Sequence, residues 1–557
     1  MTEGPGAPAK ERLDRPFRLP RAARSGRGEQ RLVDFHSKGM DARSSSAVSG
    51  GAASLDSRLP WDAAARARRT LRARYGDWLE REAFLLPFVA VYVFLLVRGL
   101  PSLVSQDSWF TLLGGREIWQ HGLPAKDTLA ILTQGAAWVD QQWFAQTLAY
   151  GLFKAGGLEL TLLVHVAVLT LSFCLALWLA RRQGVSGRRI GVVAALSLFV
   201  IAPSTSFRAQ SFVYPLFVAV LWLLIADARR PSRRVFLTLP LLVLWANMHG
   251  SAVLGASLVA LCGIAFGAGQ IRQRAGVGRW LPRSSALVAL PALALFASPY
   301  GFSLFGYYKR TIANSSFSVF VPEWRSATFP AEWPFFLLAV IALLLVGRYG
   351  RRLTLFEQLT LLVTLAGGLL AVRNGPWFGF AALAILPITV EEAWPIKATE
   401  TRRHRMSLVL AFSSLGVLLV AVAAAATRPA SWLERDWPSD QVAGQIASVA
   451  EGDPGAPILA DSRYGDWLLW QRPELAGRIA YDIRFELLSS KQIEQIAHFQ
   501  SQLGVGWKTL AEGYRVIVFD SRGEDALARA LLRERGARAL YRDARATVIL
   551  RPAAART

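Results

Sequence analysis

Along this chain apolar residues gather into long blocks separated by short charged connectors, and most blocks are long enough to cross the hydrocarbon of a bilayer as a helix, which takes about 20 residues. The blocks run 83–104, 158–180, 190–205, 210–226, 235–248, 252–270, 286–297, 334–346, 354–372, 376–390 and 406–426. They predict an all-α polytopic membrane protein with about eleven transmembrane helices, some of them shorter than a full span. Helices, not a barrel, fit unbroken apolar runs. Before residue 83 there is no apolar run. No cleavable signal peptide is therefore expected, and the first span is expected to act as its own signal anchor.

The polar connectors set the orientation. Arg181, Arg182, Arg188 and Arg189 fill one connector; Arg229, Arg230, Arg233 and Arg234 fill the next alternate one. The series continues with Arg272, Arg274, Arg279 and Arg283, then Arg348, Arg351 and Arg352, then Lys397, Arg402, Arg403 and Arg405. Every second connector is basic, which places those connectors and the N-terminus in the cytoplasm of a multi-pass plasma-membrane protein. The Arg-poor segments 105–157 and 298–333, and everything after residue 427, are then expected outside.

Three regions follow. Residues 1–80, rich in Arg, Gly, Ser, Ala and Pro, are expected to be a disordered basic cytoplasmic tail, because such a composition cannot bury enough apolar surface to fold. Residues 81–427 form the transmembrane domain. Residues 428–557 are expected to be a small soluble extracytoplasmic α/β domain, with strand-like runs at 456–460, 478–481, 515–519 and 546–550 and a helix over 525–535. No glycine-rich phosphate fingerprint opens any helix there, so nucleotide binding has no support.

Composition changes the picture in two places. The formal net charge of +23 would raise nucleic acid as a partner in a soluble protein. Here the positive charge lies at connector positions, so its partners are membrane lipids and no nucleic acid is expected. The only cysteines, Cys174 and Cys262, both fall inside apolar blocks, which leaves neither a disulfide framework nor a metal-ligand spacing.

Candidate chemistry concentrates in the 105–157 segment, where Asp107, Glu117, Asp127 and Asp140 stand among Trp109, Trp119, Trp138 and Trp143 in an otherwise basic chain. Tryptophans beside carboxylates suit sugar recognition, since aromatic faces pack on pyranose rings while carboxylates bind hydroxyls. They equally suit a tryptophan belt at the membrane interface with solvated acids. Asp107, followed by an apolar-periodic run, also reads as a helix N-cap. In the last region Tyr481-Asp482-Ile483-Arg484-Phe485-Glu486 could bind a polar acceptor or satisfy itself as a salt-bridge network.

The motifs Asp107-Ser108-Trp109, Gly114-Gly115-Arg116, Gly122-Leu123-Pro124 to Asp127, Trp138 and Gln141-Gln142-Trp143 resemble the first periplasmic loop of bacterial GT-C superfamily membrane glycosyltransferases, closest to uncharacterised members with a soluble C-terminal domain. Trp245 to Gly250, Ser298-Pro299-Tyr300-Gly301, Glu323-Trp324-Arg325-Ser326 and Arg373-Asn374 resemble that group's later motifs in the same order. The resemblance covers roughly residues 80–550. It implies a GT-C-like fold and transfer of a sugar from a polyprenyl-phosphate donor to a glycan, lipid or protein acceptor, with inversion at the anomeric carbon. It places Asp107 as the general base and puts forward Trp109, Arg116, Asp127, Trp138, Gln142, Arg208, His249, Glu323 and Arg373 as substrate-binding residues.

Stabilising a leaving phosphate calls for cations, and Arg208, His249, Lys309, Arg310, Arg325 and Arg373 are the candidates by predicted topology. Where the group commonly reads His-Glu-Trp, this chain has Gln141-Gln142-Trp143, which removes an acid or metal ligand there. No metal ligands and no certain cofactor are assigned. If Glu323 met the acids of the first segment, a divalent cation could bind through their oxygens. Competing readings are a transporter or flippase of lipid-linked saccharide, which would need ionisable residues near span centres, and a non-catalytic scaffold with an exported binding domain.

Overall fold

The computed structural model describes residues 76–312, 315–395, 404–453, 456–522 and 525–552. Most of the tail expected at 1–80 lies outside the described residues, as do Lys397, Arg402 and Arg403.

Every apolar block is helical, but the blocks differ in what they build. Among the described residues six helices are long and apolar enough to cross a membrane: Trp143–Arg182, Gly187–Ser204, Ala209–Arg229, Ala252–Arg272, Trp333–Arg352 and His404–Ala426. Leu86–Arg98 and Leu355–Leu370 are apolar and shorter. Of the remaining three, the 286–297 block ends the Val277–Leu295 helix, and the other two are cut by identifiable chemistry. The 235–248 block gives only Thr238–Ala246, where the Asn247 side-chain amide donates to the carbonyls of Val243 and Ala297 and turns the chain. The 376–390 block divides into Gly375–Ile385 and Pro387–Ala393, because Pro387 has no N–H to continue the helix ladder.

Lipid is the solvent these helices require. His404–Ala426 packs along Leu86–Arg98 and has only 11% of its apolar window buried, a surface far too large and apolar for water. The chain is therefore a mostly helical membrane protein with a small sheet near its C-terminus.

Trp143–Arg182 is interrupted at Gly156 and Gly157, and Gly157 adopts φ +66°, ψ −164°, a conformation open to glycine alone. The break falls where the sequence pattern starts a span, at residue 158. On the Arg-rich side the bundle is tied by ion pairs: Arg181 with Glu82 at 2.8 Å, Arg229 with the fully buried Glu357 at 2.6 Å, and Arg283 with the buried Asp227 at 2.5 Å. Glu357 also closes a capping box with Thr354 at the start of Leu355–Leu370, so its buried oxygens are satisfied twice over.

The C-terminal sheet has four strands in the order β1 (Ile458–Ala460), β2 (Val516–Asp520), β4 (Ala546–Leu550), β3 (Arg538–Arg542). β1 runs parallel to β2 with Leu459 opposite Ile517; β4 is antiparallel to both of its neighbours. Three of the four strand-like runs become strands. The fourth, at 478–481, forms only isolated bridges, Ile479 with Ile458 of β1 on one side and with Ala130 of the first segment on the other. β3 was not among the expected runs; it is an edge strand whose exposed face tolerates an arginine at each end.

The 105–157 segment is thus sewn onto the sheet. Ile131 N donates to Ile479 O at 2.8 Å, Leu132 N to Ala480 O at 2.9 Å, and Gly477 N to Leu129 O at 2.9 Å.

Candidate functional site

The site starts at the first turn of the Gln106–His121 helix. Ser105 is the N-cap, and its backbone N–H donates to Ser108 Oγ at 2.9 Å. The expectation of Asp107 as N-cap is corrected: Ser105 holds the cap position, and Asp107 lies inside the first turn. Ser108 Oγ donates onward to the Phe207 carbonyl at 2.6 Å, and Phe207 N donates to Leu103 O at 2.7 Å. Two backbone anchors at Phe207 therefore set the next residue, Arg208, beside Asp107.

Arg208 Nη1 lies 3.4 Å from Asp107 Oδ2 and 3.1 Å from each oxygen of Glu323. The guanidinium is buried between two carboxylates drawn from segments far apart in sequence. Burial and the Glu323 carboxylate push Asp107 above the ordinary aspartate range, with Arg208 and Arg373 pulling against them. For Glu323, burial is outweighed by Arg208 and Arg373, and the group is held below its usual range. The two acids are driven apart, Asp107 towards neutrality and Glu323 towards permanent charge.

All of this faces a cavity of about 710 Å³. Of the residues the sequence put forward, Asp107, Gln142, Arg208, His249, Glu323 and Arg373 line it. His249 Nδ1 accepts from Ser251 N at 3.1 Å, which leaves the ring proton of the neutral tautomer on Nε2. Burial, then Arg373 and Arg208, hold this histidine well below its usual pKa, so it is neutral at physiological pH. Arg373 sits on the Val372–Asn374 turn with its Cζ 4.8 Å above the Trp324 ring, and it has no ion pair among the described residues. The turn is fixed from outside by Val372 N donating to Arg325 O at 3.0 Å and Ala327 N to Leu369 O at 3.0 Å.

Four of the expected substrate-binding residues are placed elsewhere. Trp109 packs edge-on against Trp437, ring centroids 5.5 Å apart, fully buried. Arg116 donates to the carbonyls of Leu469 and Trp470 at 2.7 and 2.8 Å, satisfying the C-terminus of the Ser462–Gln471 helix. Asp127 accepts from Leu129 N and Thr133 Oγ1 and pairs with Arg484 at 2.7 Å. Trp138 lies under the Arg484 guanidinium at 4.2 Å. Trp109 and Trp138 thus bind the C-terminal segment to the first, while Trp119 packs on Tyr150 and Trp143 donates to Asn247 Oδ1 at 2.9 Å. Among the candidate cations, Lys309, Arg310 and Arg325 do not line the cavity, and Arg325 is paired with Glu332 at 2.5 Å.

Sequence reasoning did not assign Glu486, Tyr307, Gln500 or Asn374, all of which line the cavity. For Glu486 a signal existed in the charged run 481–486. That run does both things considered for it: Arg484 pairs internally with Asp482, while Glu486 reaches the cavity.

As for a divalent cation, the space between Asp107 and Glu323 is held by the Arg208 guanidinium, and no three His, Cys, Asp or Glu side chains converge among the described residues. The donor set does not fit a metal ion.

Beneath Arg484, Asp466 is fully buried, with Oδ2 accepting from Ile483 N at 3.2 Å and Oδ1 without a partner. Burial, reinforced by Asp482, raises it well above the ordinary aspartate range. A raised acid favours the folded state at low pH and loses that contribution as pH climbs through the raised value. Asp466→Asn is therefore expected to melt a few degrees above wild type at pH 8, with the gap closing at pH 5 in a fluorescence melt. A constant gap across that range would contradict the assignment.

A scan against protein-family models finds no match, and a search of curated proteins finds none. Among solved structures, the chain is similar to the oligosaccharyltransferase of Archaeoglobus fulgidus in its apo form, at 12% identity and TM-score 0.49, over 78% of this chain and 69% of that one. It is also similar to ArnT from Cupriavidus metallidurans bound to undecaprenyl phosphate, at 14% identity and TM-score 0.45, over 84% of this chain and 97% of that one.

Proposed function

We propose that this protein is a membrane glycosyltransferase that moves a sugar from a polyprenyl-phosphate donor to a hydroxyl of a glycan, lipid or protein acceptor on the extracytoplasmic face, with Asp107 as general base. The observation that carries the reading is a single cavity in which a carboxylate raised towards neutrality stands near an unpaired arginine and a neutral histidine.

Each group has work that matches its state. Arg208 holds Asp107 through Oδ2, leaving Oδ1 to take the proton of the acceptor hydroxyl as its oxygen attacks the anomeric carbon. The bond from that carbon to the phosphate oxygen breaks, and the phosphate departs as an anion. It needs charge stabilisation more than a proton, which Arg373 and the Nε2–H of His249 supply. Glu323, kept ionised, fixes Arg208 and prevents it from neutralising Asp107 alone.

The test is sugar transfer from a panel of polyprenyl-phosphate sugars by the full chain in lipid nanodiscs, together with binding of undecaprenyl phosphate. Arg373→Ala is expected to weaken that binding by about tenfold or more, the worth of a charge-assisted hydrogen bond. A wild-type protein that fails to bind any polyprenyl phosphate would refute the assignment.

A further inference from the structure

Once the ion pairs of the cavity are settled, two charges are left over. Arg208 is shared by Asp107 and Glu323, and Arg484 is answered by Asp482 and Asp127. What remains among the described residues is Arg373, for which the transferase reading has a use, and Glu486, for which it has none.

Glu486 sits on the short Phe485–Leu487 turn, directly after Arg484. That arginine is among the most firmly placed side chains in the molecule, buried, lying over Trp138 and paired with two aspartates. Its own N–H donates to Asp482 Oδ1 at 2.9 Å, so the backbone carrying Glu486 is fixed as well. The Glu486 carboxylate faces the cavity and has no ion pair and no side-chain hydrogen bond among the described residues; Arg484 and Arg310 act on it only through space. A backbone N–H is the acid's one hydrogen-bond donor among the described residues, and placing a carboxylate so sparsely satisfied in a sheltered wall costs free energy, unless something that enters the cavity repays it with hydrogen bonds.

The surroundings narrow what that something is. Gln142, Gln500 and Tyr307 line the same cavity with uncharged hydrogen-bonding groups. Facing Glu486 are Arg484 and Asp482 from its own stretch, Arg310 and Tyr307 from the Ser303–Ile312 helix, and Asp140 from the first segment. Burial pushes Glu486 up to about 7 and Asp140 likewise to about 7. Of these charged groups only Glu486 and Arg484 line the cavity, and Arg484 is already answered by two aspartates, so an anionic acceptor would meet the Glu486 carboxylate without a free cation beside it. Hydroxyls, which donate to a carboxylate and accept from an amide, meet no opposition.

We propose that Glu486 is an acceptor-binding and specificity-determining residue that accepts hydrogen bonds from the ring hydroxyls of a neutral, polyhydroxylated acceptor. The C-terminal segment then contributes part of the wall of the site that also holds Arg373. This rests on the transferase reading, and it deepens that reading by naming the acceptor as a neutral glycan rather than an anionic lipid headgroup or an acidic peptide.

The experiment measures two kinds of binding to the full chain in nanodiscs: undecaprenyl phosphate, and a panel of neutral methyl glycosides set against their 6-phosphates. Wild type should prefer the neutral glycosides. Glu486→Leu should bind them about tenfold more weakly, with undecaprenyl phosphate still retained; Glu486→Gln, which keeps the shape and one acceptor oxygen, should fall between and carries the comparison if the leucine variant does not fold. The proposal is overturned by equal glycoside binding in the variants, by preference for the 6-phosphates, or by a wild type that holds undecaprenyl phosphate but no glycoside. Loss of undecaprenyl phosphate binding in wild type strikes the transferase reading instead.

Discussion

Asp107→Asn is expected to lower the rate of sugar transfer by about 10²–10⁴-fold, the usual contribution of a positioned base, while Km for the donor changes little. The asparagine keeps the volume of the side chain and can still accept from Arg208 through its carbonyl oxygen, so the cavity should hold its shape. What it loses is the capacity to take a proton. The readout is turnover with the polyprenyl-phosphate sugar that proves active, alongside undecaprenyl phosphate binding as a control for folding. Because Asp107 is raised above the ordinary aspartate range, wild-type kcat should also decline on acidification, as the base becomes protonated. Undiminished turnover in the asparagine variant would move the base to another residue.

The second large effect is one of stability. Arg484→Ala should cost about 3–5 kcal/mol, because it strands Asp127 and Asp482 as buried carboxylates without a counter-charge. Arg484, Asp127 and Asp482 have side chains no more than 3% exposed, so solvent cannot take over the lost partner. The guanidinium also fills the space over the Trp138 ring. A denaturant melt and limited proteolysis should show the C-terminal segment loosening from the first. Arg484→Lys should recover only part of the loss, since an ammonium lacks the fork that reaches both aspartates. An alanine variant as stable as wild type would mean that the pairs contribute nothing net.

The membrane architecture was legible because it is written locally. An apolar block needs no knowledge of its neighbours to demand lipid, and the glycine break at 156–157 marks its own boundary. The cavity-lining set Asp107, Gln142, Arg208, His249, Glu323 and Arg373 was reachable through motif order, and the structure brings these six to one wall space. Trp109, Arg116, Asp127 and Trp138 were misread for a physical reason. Their roles depend on partners that no local pattern reveals: Arg484 is 357 residues from Asp127, and Trp470 is 354 residues from Arg116. An acid or a tryptophan in a loop looks the same whether it awaits a ligand or a distant strand. β3 escaped for a related reason, since an edge strand carries charge on its free face and loses the alternation by which strands are recognised.

The seam between the first segment and the sheet bears on how the protein can be made and taken apart. Residues 479–480 sit between β1 and residues 130–132, with backbone hydrogen bonds on both flanks. Expressed alone, residues 428–557 would present that flank as an unfinished sheet edge, with Arg484 missing one of its aspartates and the Ser462–Gln471 helix missing the arginine at its end. Such an edge invites pairing with other copies. The change of composition near residue 428 therefore does not mark the limit of the C-terminal part's contacts: residues 479–480 share backbone hydrogen bonds with the 105–157 segment.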